Sequence, residues 1–178
     1  DTELRKHIET FHNDAKADLA TAFMDRCLHF CIKGGTIAVV TPQNWLFLGS
    51  YRLLRERLLA EKTWNVVARL GPGAFETIGG EVVNVTLFVL TSARPQSKHT
   101  FLGLDASVPR VPTDKAALLS GGPALCVSQA AQLRNPLTTV VFPTSPDAEV
   151  KRLLTVARGY QGISTADDPR FVRSYWEF

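Results

Sequence analysis

The sequence predicts an α/β fold of the doubly wound type, of which the chain carries one half. Between residues 17 and 92, segments with apolar residues at helical spacing alternate with short apolar, β-branched runs. Loops that contain glycine and proline separate these segments. Apolar residues make up 45% of the 178 residues, which is enough for a buried core without disulfides.

The first amphipathic helix is expected from Ala17 onward. Asp14 or Asp18 is expected to cap its start, and Gly34-Gly35 to end it, because glycine adopts the left-handed conformation without steric cost. Apolar residues recur at spacings of three and four, and we expect them to form one buried face: Leu19, Ala22, Phe23, Cys27, Phe30 and Cys31.

Two strands and a second helix are predicted next. Thr36–Val40 reads as a strand that is buried on both faces in a parallel sheet and ends at Thr41-Pro42. Trp64–Leu70 is the second predicted strand. Between them, Ser50 is expected to cap a helix whose apolar side carries Leu53, Leu54, Leu58 and Leu59.

A third strand is predicted over Val82–Leu90. It follows the turn Gly71-Pro72-Gly73 and a glycine-bearing loop over Phe75–Glu81. The order helix, strand, helix, strand, loop, strand is typical of half of a doubly wound domain. We therefore assign residues 1–92 to a partial domain of this kind.

Beyond Ala93 the character of the sequence changes. Five prolines fall between Pro95 and Pro136, and only short periodic pieces remain, namely Phe101–Leu104 and Lys115–Leu119. We predict that residues 93–145 form a connector with short strands and a helix but little core of its own. Ser145-Pro146-Asp147 is expected to start a helix, and residues 146–178 to open a second domain.

Charge and cysteine content restrict the function only broadly. The net charge of +3 is a weak electrostatic signal compared with dedicated nucleic-acid binders. No apolar run reaches the ~20 residues that a bilayer requires, and no signal peptide is predicted. Three cysteines do not form an even-numbered disulfide framework, so a reducing, cytoplasmic location is expected. Because the sequence begins with Asp inside a helical pattern, we expect a piece of a longer polypeptide.

Histidines and cysteines do not predict a metal site. His29 lies between Cys27 and Cys31, but on a helix it points away from the pair, so a buried apolar face is favoured over zinc. The other histidines have no Asp or Ser partner at a diagnostic spacing, and we expect them at the surface: His7, His12 and His99.

Three loops are candidates for a ligand site, because ligands of doubly wound sheets bind outside the carboxyl ends of the strands. They are Thr41–Gly49, Gly71–Glu81 and the segment after Leu90. In the first loop Trp45 either contacts a ligand or packs under the following helix. In the second, Gly79-Gly80 is either flexible backbone beside a site or a tight hairpin turn.

Three stretches, read in order, resemble the later half of the catalytic domain of N6-adenine DNA methyltransferases. They are Asp18–Ala20 through Ile32–Thr36, then Val40–Leu46, then Gly73–Leu90. The third stretch and the tail Gly159–Phe171 are similar to large Eco57I-type and BREX phage-defence (PglX-like) members. The resemblance implies the second half of a Rossmann-like methyltransferase sheet, an irregular connector and the start of a target-recognition region.

The resemblance also implies a reaction. Such enzymes transfer a methyl group from S-adenosylmethionine to the exocyclic amine of an adenine that is flipped out of double-stranded DNA. They hold the amine with an Asn/Asp-Pro-Pro-Tyr/Phe motif and the cofactor with a glycine-rich loop, and neither motif occurs in this sequence. We therefore expect no catalytic residue here, and we expect this segment alone not to methylate DNA.

The remaining residues would form the floor and wall of the base pocket. In this family an aromatic residue of the strand Val83–Leu90 stacks on the flipped base, which implies Phe88, or Leu90 in an alternative register. The resemblance places further residues at the pocket mouth and on the nearby loop: Phe75, Gly79, Gly80, Asn44 and Trp45. In the tail it implies DNA contacts by Gln161, Arg170 and Arg173, with a solvated surface charge as the alternative for each arginine.

A second hypothesis is a specificity module that binds DNA or a protein without catalysis. The two missing motifs, found or not found upstream in the parent chain, distinguish the hypotheses. In either case the parent is expected to serve restriction-modification or phage defence. We also expect the fragment to self-associate through an exposed sheet edge.

Overall fold

The computed structural model describes residues 2–75, 83–142 and 157. All of these except Ala157 belong to one unit, Asp1–Thr144. The helix predicted after Ser145 and the aromatic tail lie outside the described residues. Within the described part, no helix has the length and apolar character needed to cross a membrane.

Five helices and five strands follow one another in the described residues. The helices are α1 (Thr2–Phe11), α2 (Leu19–Phe30), α3 (Arg52–Glu61), α4 (Pro112–Gly121) and α5 (Gln129–Gln132). The strands are β1 (Thr36–Pro42), β2 (Thr63–Gly71), β3 (Val85–Thr91), β4 (Thr100–Asp105) and β5 (Ala124–Ser128). The predicted order of helices and strands up to residue 91 is confirmed, and the third strand begins three residues later than expected.

The strands form one sheet in the order β1-β3-β2-β4-β5. β3 lies between β1 and β2 and is antiparallel to both, whereas β2 and β4 are parallel and β4 and β5 antiparallel. The sheet is therefore mixed, and the overall class is α/β as predicted.

The prediction that β1 is buried on both faces within a parallel sheet is wrong. β1 is an outer strand of the described sheet and pairs with the antiparallel β3. Its side chains alternate, with Ile37 and Thr41 buried and Ala38 and Val40 exposed. The cause is the insertion of β3 between β1 and β2, which local sequence spacing does not reveal.

The main core lies on one face of the sheet. Helix α3 contributes Leu54, Leu58 and Leu59, and the strands contribute side chains that include Trp64, Val67, Phe88 and Leu90. A smaller cluster around Leu70, Val85 and Ala106 covers part of the other face. The apolar character of these strands thus reflects burial, as the sequence predicts.

Helix α2 is rotated relative to its predicted orientation. Asp18 caps it as expected, accepting a hydrogen bond from the Ala20 amide at 2.8 Å. The buried face, however, is Thr21, Ala22, Met24, Asp25 and Leu28, while Leu19, Phe23 and Phe30 are exposed. The helix also ends at Phe30, before Gly34-Gly35, because Cys31 has an extended backbone.

A buried ion cluster explains that rotation. The Asp25 carboxylate lies 2.6 Å from Nδ1 of His12 and accepts a hydrogen bond from Arg57 at 2.7 Å, so the helix must turn Asp25 inward. Burial opposes the ionised form, but the hydrogen bonds from His12 and Arg57 hold the pKa of Asp25 below its usual value. Arg57 lies on α3 and also donates hydrogen bonds to the Asp14 carboxylate. It thereby links α3 to the segment before α2.

Two details of α3 differ from the prediction. The N-cap is Tyr51, and Ser50 lies in the preceding 3-10 turn Gly49–Tyr51, so Ser50 does not cap the helix. Leu53 is exposed, and its expected place on the buried side is taken by Arg55.

The connector is more integrated than its composition suggests. The pieces predicted at Phe101–Leu104 and Lys115–Leu119 are confirmed as parts of β4 and α4. The expectation of little core is wrong, because β4 and β5 extend the sheet and bury Phe101 and Val127 in the main core. Proline-rich composition predicts breaks between elements but does not show which sheet the elements join.

Candidate functional site

Two strand ends and one strand start meet at the same edge of the sheet. In the register Pro42, the last residue of β1, and Gly71, the last of β2, both pair with Val85, the first of β3. The Gln43 amide donates a hydrogen bond to the Asn84 carbonyl at 2.8 Å. The loops after β1 and β2 and the segment before β3 are thus neighbours. We call residues 42–48, 71–75 and 83–84 the site edge.

The third candidate loop does not belong to this edge. Thr91, which ends β3, pairs with Thr36 and Thr63 at the starts of β1 and β2. The segment after Leu90 therefore lies at the opposite edge, contrary to the prediction, because β3 runs antiparallel to its neighbours. The first predicted loop and the described part of the second, residues 71–75, are brought together.

The loop after β1 is held by a buried arginine. Arg55 on α3 donates hydrogen bonds to the carbonyls of Trp45 (2.5 Å), Leu48 (2.8 Å), Leu137 (2.7 Å) and Thr138 (3.1 Å). Burial lowers the pKa of its guanidinium to about 10, a value at which it still carries its charge at neutral pH. Arg55 thus fixes the loop without a carboxylate partner among the described residues, and sequence reasoning missed it because its spacing is that of a core leucine.

Trp45 packs under the loop and not at its surface. Its Nε1 donates to the Thr41 hydroxyl at 2.9 Å, and its ring lies edge-on to Phe88 with 5.0 Å between centroids. Of the two interpretations that the sequence leaves open for Trp45, the described geometry supports packing. The loop has a rigid aromatic floor.

Phe88 and Leu90 are both in the core. Phe88 is 1% exposed beneath Trp45, and Leu90 is fully buried and pairs with Ile37 and Trp64 far from the site edge. Neither side chain offers a free face to a ligand in the described structure. Both lie on the same sheet face, as the alternative registers assume.

The turn after β2 is held close to the segment before α4. Gly71 and Gly73 have φ of +64° and +68°, and a Cβ at Gly73 would lie 2.6 Å from the Arg110 carbonyl oxygen. Buried Lys115 donates hydrogen bonds to the carbonyls of Leu70 and Ala106, and burial lowers the pKa of its ammonium group. The backbone at this end of β2 is therefore fixed by close approach.

Several side chains at the site edge remain accessible above these anchors. Phe75 and Val83 are each 46% exposed, and Asn44 and Asn84 are exposed. Gln43 is 9% exposed, and its side-chain Oε1 has no hydrogen-bond partner among the described residues. Sequence reasoning did not single out Gln43, although a polar residue directly after a strand is a usable signal.

Other predicted site residues lie outside the described residues. These are Gly79 and Gly80 before β3, and Gln161, Arg170 and Arg173 in the tail. Among the histidines predicted at the surface, His12 is buried and His99 half-buried, with Nε2 of His99 at 2.6 Å from the Trp64 carbonyl oxygen. Cys27 and Cys31 are half-buried against the main core.

One family model and two known proteins with similar sequences all point to methyltransferases. The family model of the Eco57I restriction-modification methylase matches residues 1–75. The adenine-specific methyltransferase PglX of Lacticaseibacillus casei (strain Zhang) is 39% identical over 95 residues, which are 52% of this chain and 8% of that protein. The adenine-specific methyltransferase BrxX of Escherichia coli O9:H4 (strain HS) is 39% identical over 88 residues, 49% of this chain and 7% of that protein.

A solved structure is also similar. The M protein of the type I restriction enzyme EcoKI aligns over 47% of this chain and 18% of its own, with 24% identity and a TM-score of 0.39. The resemblance predicted from the sequence is thus confirmed by the family model and the two relatives. The chain spans less than a tenth of the length of either relative.

Proposed function

Because residues 1–75 match the Eco57I methylase model, we propose that the chain is part of an S-adenosylmethionine-dependent N6-adenine DNA methyltransferase of a restriction-modification or phage-defence system in the cytoplasm. The observation that carries this proposal is that match, supported by 39% identity to the two adenine-specific methyltransferases. The sequence similarity supports the class of reaction. The accessible side chains of the site edge support this edge as the part of the chain that contacts the substrate.

The strand directions support a place in the second half of a doubly wound sheet. β1 and β2 are both antiparallel to β3 and hence parallel to each other, and α3 connects them. Residues 1–92 are then the partial catalytic domain, residues 93–145 a connector that shares its sheet, and residues 146–178 the start of target recognition. In that tail we assign DNA contacts to Gln161, Arg170 and Arg173.

We place part of the flipped-adenine pocket at the site edge. An extruded base offers two apolar faces and a polar edge, and it is read by stacking and by hydrogen bonds. The exposed side chains of Phe75 and Val83 are suited to the faces, and the amides of Gln43, Asn44 and Asn84 are suited to the polar edge. We also assign Gly79 and Gly80, which lie outside the described residues, to the mouth of this pocket.

The burial of Phe88 and Leu90 supports a role other than direct stacking on the base. Phe88 is covered by Trp45, and Leu90 lies five residues beyond Val85, which corresponds to about 17 Å along a strand. We therefore assign Phe88 and Trp45 to the floor of the pocket, beneath the loop that carries Gln43 and Asn44, and Leu90 to the core farther along β3. Phe75 is the residue to which we assign contact with the base.

The cofactor and the amine are held by residues outside this chain. The sequence contains neither an Asn-Pro-Pro-Tyr motif nor a Gly-x-Gly-x-x-Gly loop. The longer protein supplies both, so the 178-residue chain by itself does not methylate DNA. S-adenosylmethionine provides the methyl group, and the residues described here orient and enclose the acceptor base.

The free edge of the outer strand β1 leads us to expect self-association of the isolated chain. β1 pairs with β3 on one side and with no described strand on the other. An unpaired strand edge is a template for pairing with another chain. The 178-residue chain is expected to self-associate in sedimentation at high concentration, and a strictly monomeric species would contradict this.

The reaction is tested with the longer protein. Produced in a host without adenine methylation, it should yield N6-methyladenine in digested DNA by mass spectrometry. Substitution of its Asn-Pro-Pro-Tyr asparagine by alanine should abolish the product. If the longer protein contains both motifs and binds duplex DNA but forms no N6-methyladenine, the proposed methyltransferase activity is contradicted. A non-catalytic specificity module is then favoured.

A further inference from the structure

Three of the four histidine rings lie next to one another beside the first two helices. The ring centroids of His7 and His12 are 5.9 Å apart, and those of His12 and His29 are 5.2 Å apart. His12 is 3% exposed, whereas His7 on α1 and His29 on α2 are exposed. A buried imidazole is thus flanked by two exposed ones.

The two ring nitrogens of His12 have different surroundings. Nδ1 lies 2.6 Å from Oδ2 of Asp25, whose other oxygen accepts a hydrogen bond from Arg57 at 2.7 Å. A carboxylate paired with a guanidinium only accepts, so Nδ1 carries the proton. In the neutral ring Nε2 is then a lone-pair acceptor, and this atom is buried without a hydrogen-bond partner among the described residues.

A histidine with a carboxylate on one nitrogen and a bare lone pair on the other is arranged as a metal ligand. Metal-bound histidines donate their second ring N–H to a carboxylate or carbonyl, which fixes the tautomer and the ring orientation. Burial of an unpaired lone pair has a free-energy cost that coordination of a cation would remove. The network Arg57–Asp25–His12 supplies this orientation before any ion binds.

We propose that His12 Nε2, together with His29 and His7, binds a divalent transition metal of the zinc class. One ring nitrogen of His29, one of His12 and a carboxylate oxygen of Asp25 all lie within 4.8 Å of one another. Imidazole is a common ligand of Zn²⁺, and Zn–N distances of about 2.1 Å bring ligand nitrogens to about 3.4 Å from each other. His29 is therefore within reach of the fixed His12, and we assign His7, whose ring centroid lies 5.9 Å from that of His12, as the third ligand, with water completing the tetrahedron.

Such an ion would hold α1 in place. No residue of α1 is buried, so packing contributes little to its position. Metal binding would link His7 on α1 to His12 in the following turn and to His29 on α2. None of these three residues belongs to the site edge, and the proposal is independent of the methyltransferase assignment.

The test uses the 178-residue chain, produced without a histidine tag and stripped with a chelator. Titration with Zn²⁺ by calorimetry and with Co²⁺ by absorption should show one ion per chain. His29→Ala and His7→Ala change exposed side chains, so they should leave the far-ultraviolet circular dichroism unchanged and weaken binding at least about tenfold. With Zn²⁺ bound, hydrogen exchange in residues 2–11 should slow, and His29→Ala should remove this effect.

Two control variants separate this site from alternatives. His99→Gln changes the one histidine outside the cluster and should retain wild-type metal affinity. Cys27→Ser/Cys31→Ser should also retain it, because the thiols pack against the core. The proposal is overturned if Zn²⁺ shows no saturable binding, if His29→Ala or His7→Ala binds as wild type, or if the cysteine variant loses the ion.

Discussion

The two ends of the same central strands are built differently. At the opposite edge the hydroxyls of Thr36 and Thr91 lie 2.9 Å apart, and Asn65 donates to Thr91 at 2.7 Å. Thr36, Asn65 and Thr91 are thus paired with one another, although the buried Nε1 of Trp64 beside them has no partner among the described residues. At the site edge the Gln43 Oε1 has no partner among the described residues, and Phe75 is exposed. The opposite edge pairs the hydroxyl and amide groups of these three residues with one another, whereas the site edge combines a fixed interior, a buried Gln43 side-chain carbonyl without a partner and an exposed phenylalanine ring.

Removal of the buried arginine should break the site edge most strongly. Arg55→Met removes one donor from each of four carbonyl groups. Leu48 and Leu137 keep a second donor, namely the Tyr51 amide and the Thr138 hydroxyl, so the carbonyls of Trp45 and Thr138 carry most of the penalty. At about 1–3 kcal/mol for each buried unsatisfied group, we expect the free energy of unfolding in urea to fall by about 2–6 kcal/mol.

A matched control for Arg55 lies on the same helix. Arg52 makes an exposed pair with Glu56 at 2.7 Å, so Arg52→Met should cost only about 0.3–0.5 kcal/mol. Equal losses for the two variants would show that Arg55 does not fix the loop.

Substitution of two phenylalanines, the buried Phe88 and the exposed Phe75, distinguishes a role in stability from a role in base binding. Phe88→Ala removes a buried ring and should lower the free energy of unfolding by about 3–5 kcal/mol. Phe75→Ala should change stability by at most about 0.5 kcal/mol. In the longer protein it should weaken binding of DNA with a flipped adenine by about 1–3 kcal/mol, measured by fluorescence of a base analogue.

The opposite result would contradict the assignment of Phe75. If Phe75→Ala binds the flipped base as wild type, and Phe88→Ala is stable but binds the base weakly, then Phe88 is the residue that stacks on the base.

The turn after β2 should be sensitive to a single methyl group. Gly73→Ala places a Cβ against the Arg110 carbonyl in a left-handed conformation that costs an L-residue about 1–2 kcal/mol. We expect a lower midpoint in urea and, in the longer protein, a lower rate of methyl transfer. Gly121→Ala, where the added Cβ meets nothing within 4 Å, should be neutral or stabilising.

The opposite edge should respond least. Thr36→Val removes one hydroxyl of an exposed pair and should cost less than about 1 kcal/mol in urea unfolding. Methyl transfer by the longer protein should be unchanged. A large loss of transfer with intact stability would place this edge in the site and contradict the comparison.

Local spacing predicted the elements but not their neighbours. The strand Trp64–Leu70 and the cap at Asp18 depend on adjacent residues, so the sequence specifies them directly. The position of β3 between β1 and β2 depends on contacts between distant segments. That position decides both the burial of β1 and the edge at which each loop lies.

Buried polar groups account for the differences between the predicted and the observed buried faces of α2 and α3. Arg55 and Asp25 occupy positions of a helix face that spacing rules reserve for apolar residues, and each is buried because its partners lie elsewhere in the chain. The partners of Asp25 are 13 and 32 residues away. Spacing alone therefore favoured Phe23 and Leu53 for the core, and the structure exposes both.

The most direct test is titration calorimetry with S-adenosylmethionine. We propose that this chain carries the base side of a methyltransferase site and that residues elsewhere in the longer protein hold the cofactor. We therefore expect stoichiometric binding by the longer protein and none by the 178-residue chain. Binding by the 178-residue chain alone, or by neither protein, would contradict this proposal.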